Sequence, residues 1–170
     1  KLLFGLDVAR SIGGAGSWAE VAYTLVDKDE GGDYLRLSAG LDTYLFEGTY
    51  GFVEYHFNGA GRGDPKTYLS LPGHFAYSEG AVYLFARHYL SPGISYEVTP
   101  LLVIAAEALI NLNDGSVLFA PSFERSLSED LFLQGGAFVR LGEGLGRGLE
   151  ARSEFGLYPN LFFASVRTYF

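Results

Sequence analysis

Apolar and polar residues alternate at period 2 along nearly the whole chain, and a helical stripe is almost nowhere to be found, so the pattern predicts strands throughout. Leu2, Phe4, Leu6 and Val8 share one face of a first predicted strand, with Leu3, Gly5, Asp7 and Ala9 on the other. In a second, over 18–26, Ala19, Val21, Tyr23 and Leu25 oppose Trp18, Glu20, Ala22 and Thr24. The third is the clearest: Leu35, Leu37, Ala39, Leu41, Thr43 and Leu45 alternate with Tyr34, Arg36, Ser38, Gly40, Asp42 and Tyr44. A fourth puts Val53, Tyr55 and Phe57 against Phe52, Glu54, His56 and Asn58, and a fifth puts Val82, Leu84 and Ala86 against Tyr83, Phe85, Arg87 and Tyr89.

A sixth strand is predicted over 94–110, where Glu97 and Glu107 share a face and Pro100 marks a bulge or an edge. The seventh covers 117–126 with Glu124 on its polar side, and the eighth covers 131–140 with Leu133 and Val139 opposite Gln134 and Arg140. In the ninth, Phe162, Ala164, Val166, Thr168 and Phe170 oppose Phe163, Ser165, Arg167 and Tyr169. Between strands, 59–80 and 142–160 read as long loops, while Ser91-Pro92-Gly93, 113–115 and 126–130 read as short connections. Alternating strands of ~10 residues, short turns at one rim and long loops at the other are the signature of an outer-membrane barrel. The expected fold is therefore all-β: a single-domain antiparallel up-and-down transmembrane β-barrel over 1–170. A soluble sandwich or lipocalin-like barrel alternates too, and differs in which face meets water.

The make-up of the polar face bears on that choice. Beside its charges it carries Tyr34, Tyr44, Phe52, Tyr83, Phe85, Tyr89, Phe132, Phe138, Phe163 and Tyr169, more aromatic surface than a water-exposed exterior ordinarily holds. A lumen wall accommodates those rings, and the opposite face, rich in Leu, Val, Ala and Phe, suits lipid. The longest runs free of Asp, Glu, Lys and Arg, 67–78 and 155–166, span ~12 residues, short of the ~18 a membrane helix needs.

Charge and composition narrow the chemistry. With 12 Lys+Arg against 20 Asp+Glu the net charge is -8, and the absence of a basic stripe argues against nucleic acid as a partner. The chain has 0 Cys, which removes disulfides, thiolate metal sites and thiol nucleophiles. His56, His74 and His88 are scattered, no cofactor or metal site is expected, and enzyme activity is not expected. A Ser/His hydrolase would need the two side chains on facing positions. Arg62-Gly63-Asp64 is a tripeptide that Gly-rich acidic loops produce by chance, and Gly59-Ala60-Gly61-Arg62-Gly63 does not lie between a strand and a helix as a phosphate cradle requires.

The closing segment, an alternating strand ending in Phe170 with Val166, Ala164 and Phe162 behind it, resembles the C-terminal targeting strand of bacterial outer-membrane proteins. Thr168 stands where many members carry an aromatic. Over about the last 75 residues the segments 95–102, 113–116, 120–122, 126–131 and 153–156 are similar to the C-terminal part of larger porin-like outer-membrane proteins of Gram-negative bacteria. The resemblance implies a pore former, the lipid bilayer and the barrel-assembly machinery as partners, Phe162, Ala164, Val166 and Phe170 as an assembly signal, and the bacterial outer membrane as location.

By parity, Asp7, Glu20, Asp42, Glu54, Glu97, Glu107 and Glu124 line the lumen against Arg36, Arg87, Arg140 and Arg167. Such a wall suits passive diffusion of small polar or charged solutes with a weak cation preference, or pairs its charges across strands and stiffens the wall. A scaffold or sheath around a partner is the alternative role, with an outer-membrane barrel enzyme ranked behind it. An odd strand count and a start at Lys1 without Met are read here as the C-terminal portion of a larger barrel.

Overall fold

The computed structural model describes residues 1–27 and 32–169; Phe170 of the expected assembly signal lies outside the described residues. The strands are β1 (Leu2–Ile12), β2 (Ala15–Leu25), β3 (Tyr34–Phe46), β4 (Thr49–Asn58), β5 (His88–Thr99), β6 (Leu102–Asn111), β7 (Val117–Ser128), β8 (Leu131–Leu141) and β9 (Leu161–Thr168). They form one nine-stranded sheet in chain order, each strand antiparallel to the next. The all-β, up-and-down architecture is the expected one.

Connections segregate completely by rim. β1–β2, β3–β4, β5–β6 and β7–β8 are joined by turns at 13–14, 47–48, 100–101 and 129–130, whereas the other rim carries the end of β2, the start of β3 and the connections 59–87, 112–116 and 142–160. At the first turn Gly13 and Gly14 both have positive φ, 60° and 90°, the backbone that matches the right-handed twist of a tight hairpin and that residues with a Cβ resist.

Two expectations need correction. Of the expected fifth strand, 82–87 is not part of the sheet, and only His88 and Tyr89 are, as the first residues of β5. The segment 82–87 runs beneath the long-loop rim with Ala86 fully buried, Val82 nearly so and Tyr83 76% exposed, and its period-2 pattern reflects one-sided burial under loops. Its one ladder-like contact is the isolated bridge between Arg62 and Ala86, so Val82 and Leu84 belong to the rim core and Arg87 to a loop. The expected sixth strand is in turn two strands, β5 and β6, folded back at 100–101, and Ser91-Pro92-Gly93 lies inside β5. These departures offset each other, which leaves the count at nine.

Proline inside a strand is tolerated because of where the missing N–H falls. Pro92 sits opposite Val53 of β4, and on its other side the β5–β6 register passes from Leu90↔Ile110 to Gly93↔Glu107 without pairing 91–92. Pro121 repeats the arrangement, opposite Ala106 of β6 but between the pairs Phe119↔Val139 and Ser122↔Gly136 toward β8. Each proline faces a gap in the ladder where no donor is required.

Aromatic rings on the polar face pack over glycines of the neighbouring strand. A Cβ at Gly40 would overlap the Trp18 indole, one at Gly93 the Phe52 ring, and one at Gly136 would come within 2.8 Å of Phe163. This accounts for Trp18, Phe52 and Phe163 on a face that also holds charges: they lie along the sheet and cover bare backbone. Gly93→Val should therefore push Phe52 out of its seat and destabilise the fold by about 1–3 kcal/mol. Denaturant unfolding followed by the strand circular-dichroism signal measures it, and removing the ring with Phe52→Ala should make the double variant less costly than the two changes summed.

Candidate functional site: the polar face and its loop-covered rim

In an antiparallel pair, directly opposite residues project to the same side, so the register defines each face without further assumption. One row runs Asp7↔Glu20, Glu20↔Ser38, Ser38↔His56, His56↔Tyr89 and Tyr89↔Asn111. A second links Asp42 through Phe52 and Gly93 to Glu107, and a third links Glu97 through Val103 and Glu124 to Gln134. Asp7, Glu20, Arg36, Asp42, Glu54, Glu97, Glu107, Glu124, Arg140 and Arg167 thus share one face. Arg87 stands apart from them, in the segment ahead of β5, with its Nε donating to the Gly61 carbonyl at 3.0 Å.

Contacts along this face are polar and mostly between strands. Trp18 Nε1 donates to Glu54 at 2.8 Å, Arg167 pairs with Glu124 at 3.0 Å, and Ser38 Oγ meets His56 Nδ1 at 2.8 Å. Ser38 and His56 are the facing Ser/His pair whose placement sequence alone does not fix. His88, on the opposite face, bonds the Tyr55 hydroxyl at 2.7 Å, and His74 accepts from the Ala76 amide at the start of the short helix α1 (Phe75–Ser78). Among the described residues no group of three His, Cys, Asp or Glu is placed to hold a metal.

At the long-loop rim this face is covered. The loop 59–87 carries a 3-10 helix, Pro65–Gly73, capped by Asp64. The loop 142–160 carries another, Phe155–Leu157. Tyr68, Leu71, Ala86, Tyr89, Ala151 and Phe155 form one buried cluster, and Val26, Tyr34, Ala60, Ala76 and Val82 form a second. Arg36 donates to the Ala81 carbonyl at 2.9 Å, and Arg140 donates to the Gly156 carbonyl. Both loops therefore rest on the polar side of the sheet.

The centre of this rim is Glu154, fully buried. Its carboxylate accepts from the Phe85 amide at 2.8 Å, the Tyr89 hydroxyl at 2.5 Å, Asn111 Nδ2 at 2.9 Å and, at 3.4 Å, the Ala86 amide. One side chain from loop 142–160 thereby takes the backbone donors of 85–86 that a sheet partner would otherwise take, and fastens them to β5 and β6. Asp114 extends the network, accepting from the Glu154 amide and from Asn111 Nδ2, both at 2.9 Å. Burial pushes the Glu154 carboxyl above the ordinary glutamate range, against the hydrogen bonds from Tyr89 and from the two amides, and the balance is upward. Burial likewise pushes the Tyr77 hydroxyl up to about 12.

None of Glu154, Asn111, Asn58 or Tyr68 stands out as functional from the sequence. The available signal was that Asn58 and Asn111 each end an apolar run on the polar parity at the long-loop rim, where a buried amide has to be met by a loop. No protein-family model matches the chain, and no curated protein or solved structure matches it.

Two outcomes follow for the rim. Glu154→Ala leaves several buried donors without an acceptor; at about 1–3 kcal/mol for each orphaned donor, it should loosen both loops, read as faster proteolysis within 142–160. Because the folded pKa of Glu154 lies above the unfolded one, its contribution is fully present below the ordinary glutamate pKa and is lost as pH rises through the raised value. Rim amide protection factors, with the base-catalysed intrinsic rate divided out, should therefore fall in the parent protein as pH rises through the raised Glu154 pKa. Glu154→Gln should flatten that dependence, and an unchanged slope in the variant would assign the effect to another group.

Proposed function

We propose that this sheet is a wall section of a β-barrel in the outer membrane of a Gram-negative bacterium, its polar face lining an aqueous passage for passive diffusion of small polar or charged solutes. The observation that carries the reading is the exposure of the apolar face. Leu6 is 72% exposed, Leu41 52%, Phe162 75% and Val166 65%, all on the side opposite the charge-bearing rows. A face of this kind costs free energy in water and is satisfied by hydrocarbon. That no helix is long and apolar enough to cross a membrane says nothing against crossing by strands.

The edges support a larger barrel. β1 pairs only with β2 and β9 only with β8 among the described residues, and all 11 residues of β1 are exposed. β1 and β9 both run from the long-loop rim to the short-turn rim, so antiparallel closure takes an odd number of additional strands, which makes the total even as in bacterial single-chain barrels. Insertion by the barrel-assembly machinery belongs to the same proposal, with Phe162, Ala164 and Val166 on the apolar face of β9 as part of its signal. Coverage of the polar face by two packed loops favours a second reading, in which the barrel is a sheath or scaffold around a partner.

Arg at Leu37 of β3 should cost about 2–4 kcal/mol if that position meets the bilayer core, whereas Arg at its neighbour Ser38 should be accommodated better. The measurement is folding stability in lipid vesicles, and the reverse order would mean that the Leu37 face is a dry protein core. For passage itself, the protein purified intact from its own cells should conduct in a planar bilayer with a weak cation preference that shrinks as salt rises, since screening acts within about 8 Å at physiological ionic strength. Neutralising Asp42, Glu54 and Glu107 together should move the reversal potential toward anions. Absence of conductance favours the sheath.

A further inference from the structure

On the polar face, toward the long-loop rim, lies a pocket of about 160 Å³ lined by Glu20, Ala22, Arg36, Leu37, Ser38 and His56. It brings both charge signs together. Glu20 stands opposite Ser38, and Arg36 stands opposite Ala22, so the acid and the guanidinium occupy diagonal positions across β2 and β3. Diagonal neighbours are ~7–8 Å apart, within reach of long side chains, yet the ion pairs among the described residues are Lys1–Glu79, Arg152–Glu143 and Arg167–Glu124. Glu20 and Arg36 do not close on each other.

Arg36 is held back by the loop. One of its terminal nitrogens donates to the Ala81 carbonyl at 2.9 Å, while its Nε is buried without a hydrogen-bond partner among the described residues. A buried, unpartnered guanidinium N–H is costly unless an acceptor visits it. Ser38 and His56 supply a hydroxyl and an imidazole at 2.8 Å from each other. Across the pocket Glu20 is exposed, and Asp7, its partner in β1, adds a second carboxylate on the same side.

A solute that satisfies both ends has an anionic group for Arg36 and a cationic group for Glu20. The volume equals that of roughly five waters at ~30 Å³ each, the size of a small amino acid. We propose that this pocket is a binding station for small zwitterions of the α-amino-acid class, the carboxylate on Arg36 and the ammonium on Glu20. The proposal rests on the reading of the polar face as a solute passage and names the class of solute that this face selects. A lone cation would meet the Arg36 charge, and a lone anion would meet Glu20 and Asp7, so each is disfavoured against the molecule that carries both signs.

The test is calorimetric titration of the intact protein, folded in detergent at low ionic strength, with L-alanine, with acetate and with methylammonium. L-Alanine should bind with a millimolar dissociation constant, and acetate and methylammonium at least tenfold more weakly. Arg36→Gln and Glu20→Gln should each weaken L-alanine at least tenfold. Glu129→Gln, in the turn between β7 and β8, should leave it unchanged. Glu20 makes no side-chain hydrogen bond among the described residues and is exposed, so its variant carries the test if Arg36→Gln fails to fold. Methylammonium binding as tightly as L-alanine and indifferent to Arg36→Gln would reduce the pocket to a general acidic field. No heat with L-alanine in a protein that folds and conducts overturns the zwitterion station and leaves the passage standing, whereas a protein that does not conduct but binds L-alanine overturns the passage alone.

Discussion

The pairing register of the antiparallel ladder is the constraint on which everything else here depends. Each strand projects successive side chains to opposite sides, so one register decides at once which residues form the apolar belt and which form the polar wall. Ser38↔His56 and Leu37↔Phe57 are adjacent pairs of the same ladder. Slipping either strand by one residue would set His56 beside a leucine and put charges on the oily side across the whole row. The consistency of the register from β1 to β9 turns scattered acids and arginines into a single surface.

A sheet of this length must also finish its rims, and it does so in two ways. At one rim the strands return through two-residue turns, and the carbonyls of Gly48, Leu101 and Asp130 in three of them accept from the amides of Glu97, Ser126 and Tyr169. At the other, chain too long for a turn is folded onto the polar face, and Glu154 holds it there by accepting donors from a loop, from β5 and from β6. A carboxylate buried without a countercharge is expensive, and hydrogen bonds from four groups are what make it tolerable. Its place is thus structural and electrostatic together: it joins the two long loops to β5 and β6 and sets a buried carboxyl group over the polar face.

Strands were legible where burial and pairing agree. In β3 and β4 every polar-parity residue faces the same side that the sequence pattern indicates, because the ladder there runs through with its one bulge near Phe46. Alternation misleads at 82–87, where a segment buries one side under loops and the amides of Phe85 and Ala86 go to Glu154 in place of a neighbouring strand. It misleads again at 91–93, since a Ser-Pro-Gly string is ordinary turn chemistry and only the ladder shows a gap that excuses the proline. The charged wall was readable from parity, with Arg87 the exception that follows from the misread segment. The rim was not, because Glu154 gains its partners from residues 40 to 69 positions away, and no local pattern encodes contacts at that separation. The pairing of rings with glycines is likewise a cross-strand fact, invisible until Trp18 is seen against Gly40 and Phe52 against Gly93.

What distinguishes a membrane wall from a soluble sheet is the medium each face meets, and the chain's lack of cysteine allows that to be read one residue at a time. Single cysteines placed in turn at positions 35 to 42 of β3, labelled with a nitroxide and reconstituted in lipid vesicles, report accessibility to oxygen and to a water-soluble nickel complex. The account predicts period-2 alternation: labels at Leu35, Leu37, Ala39 and Leu41 favour oxygen, and labels at Arg36, Ser38, Gly40 and Asp42 favour the nickel complex. Equal access to the nickel complex on both parities, or the opposite phase, would contradict it.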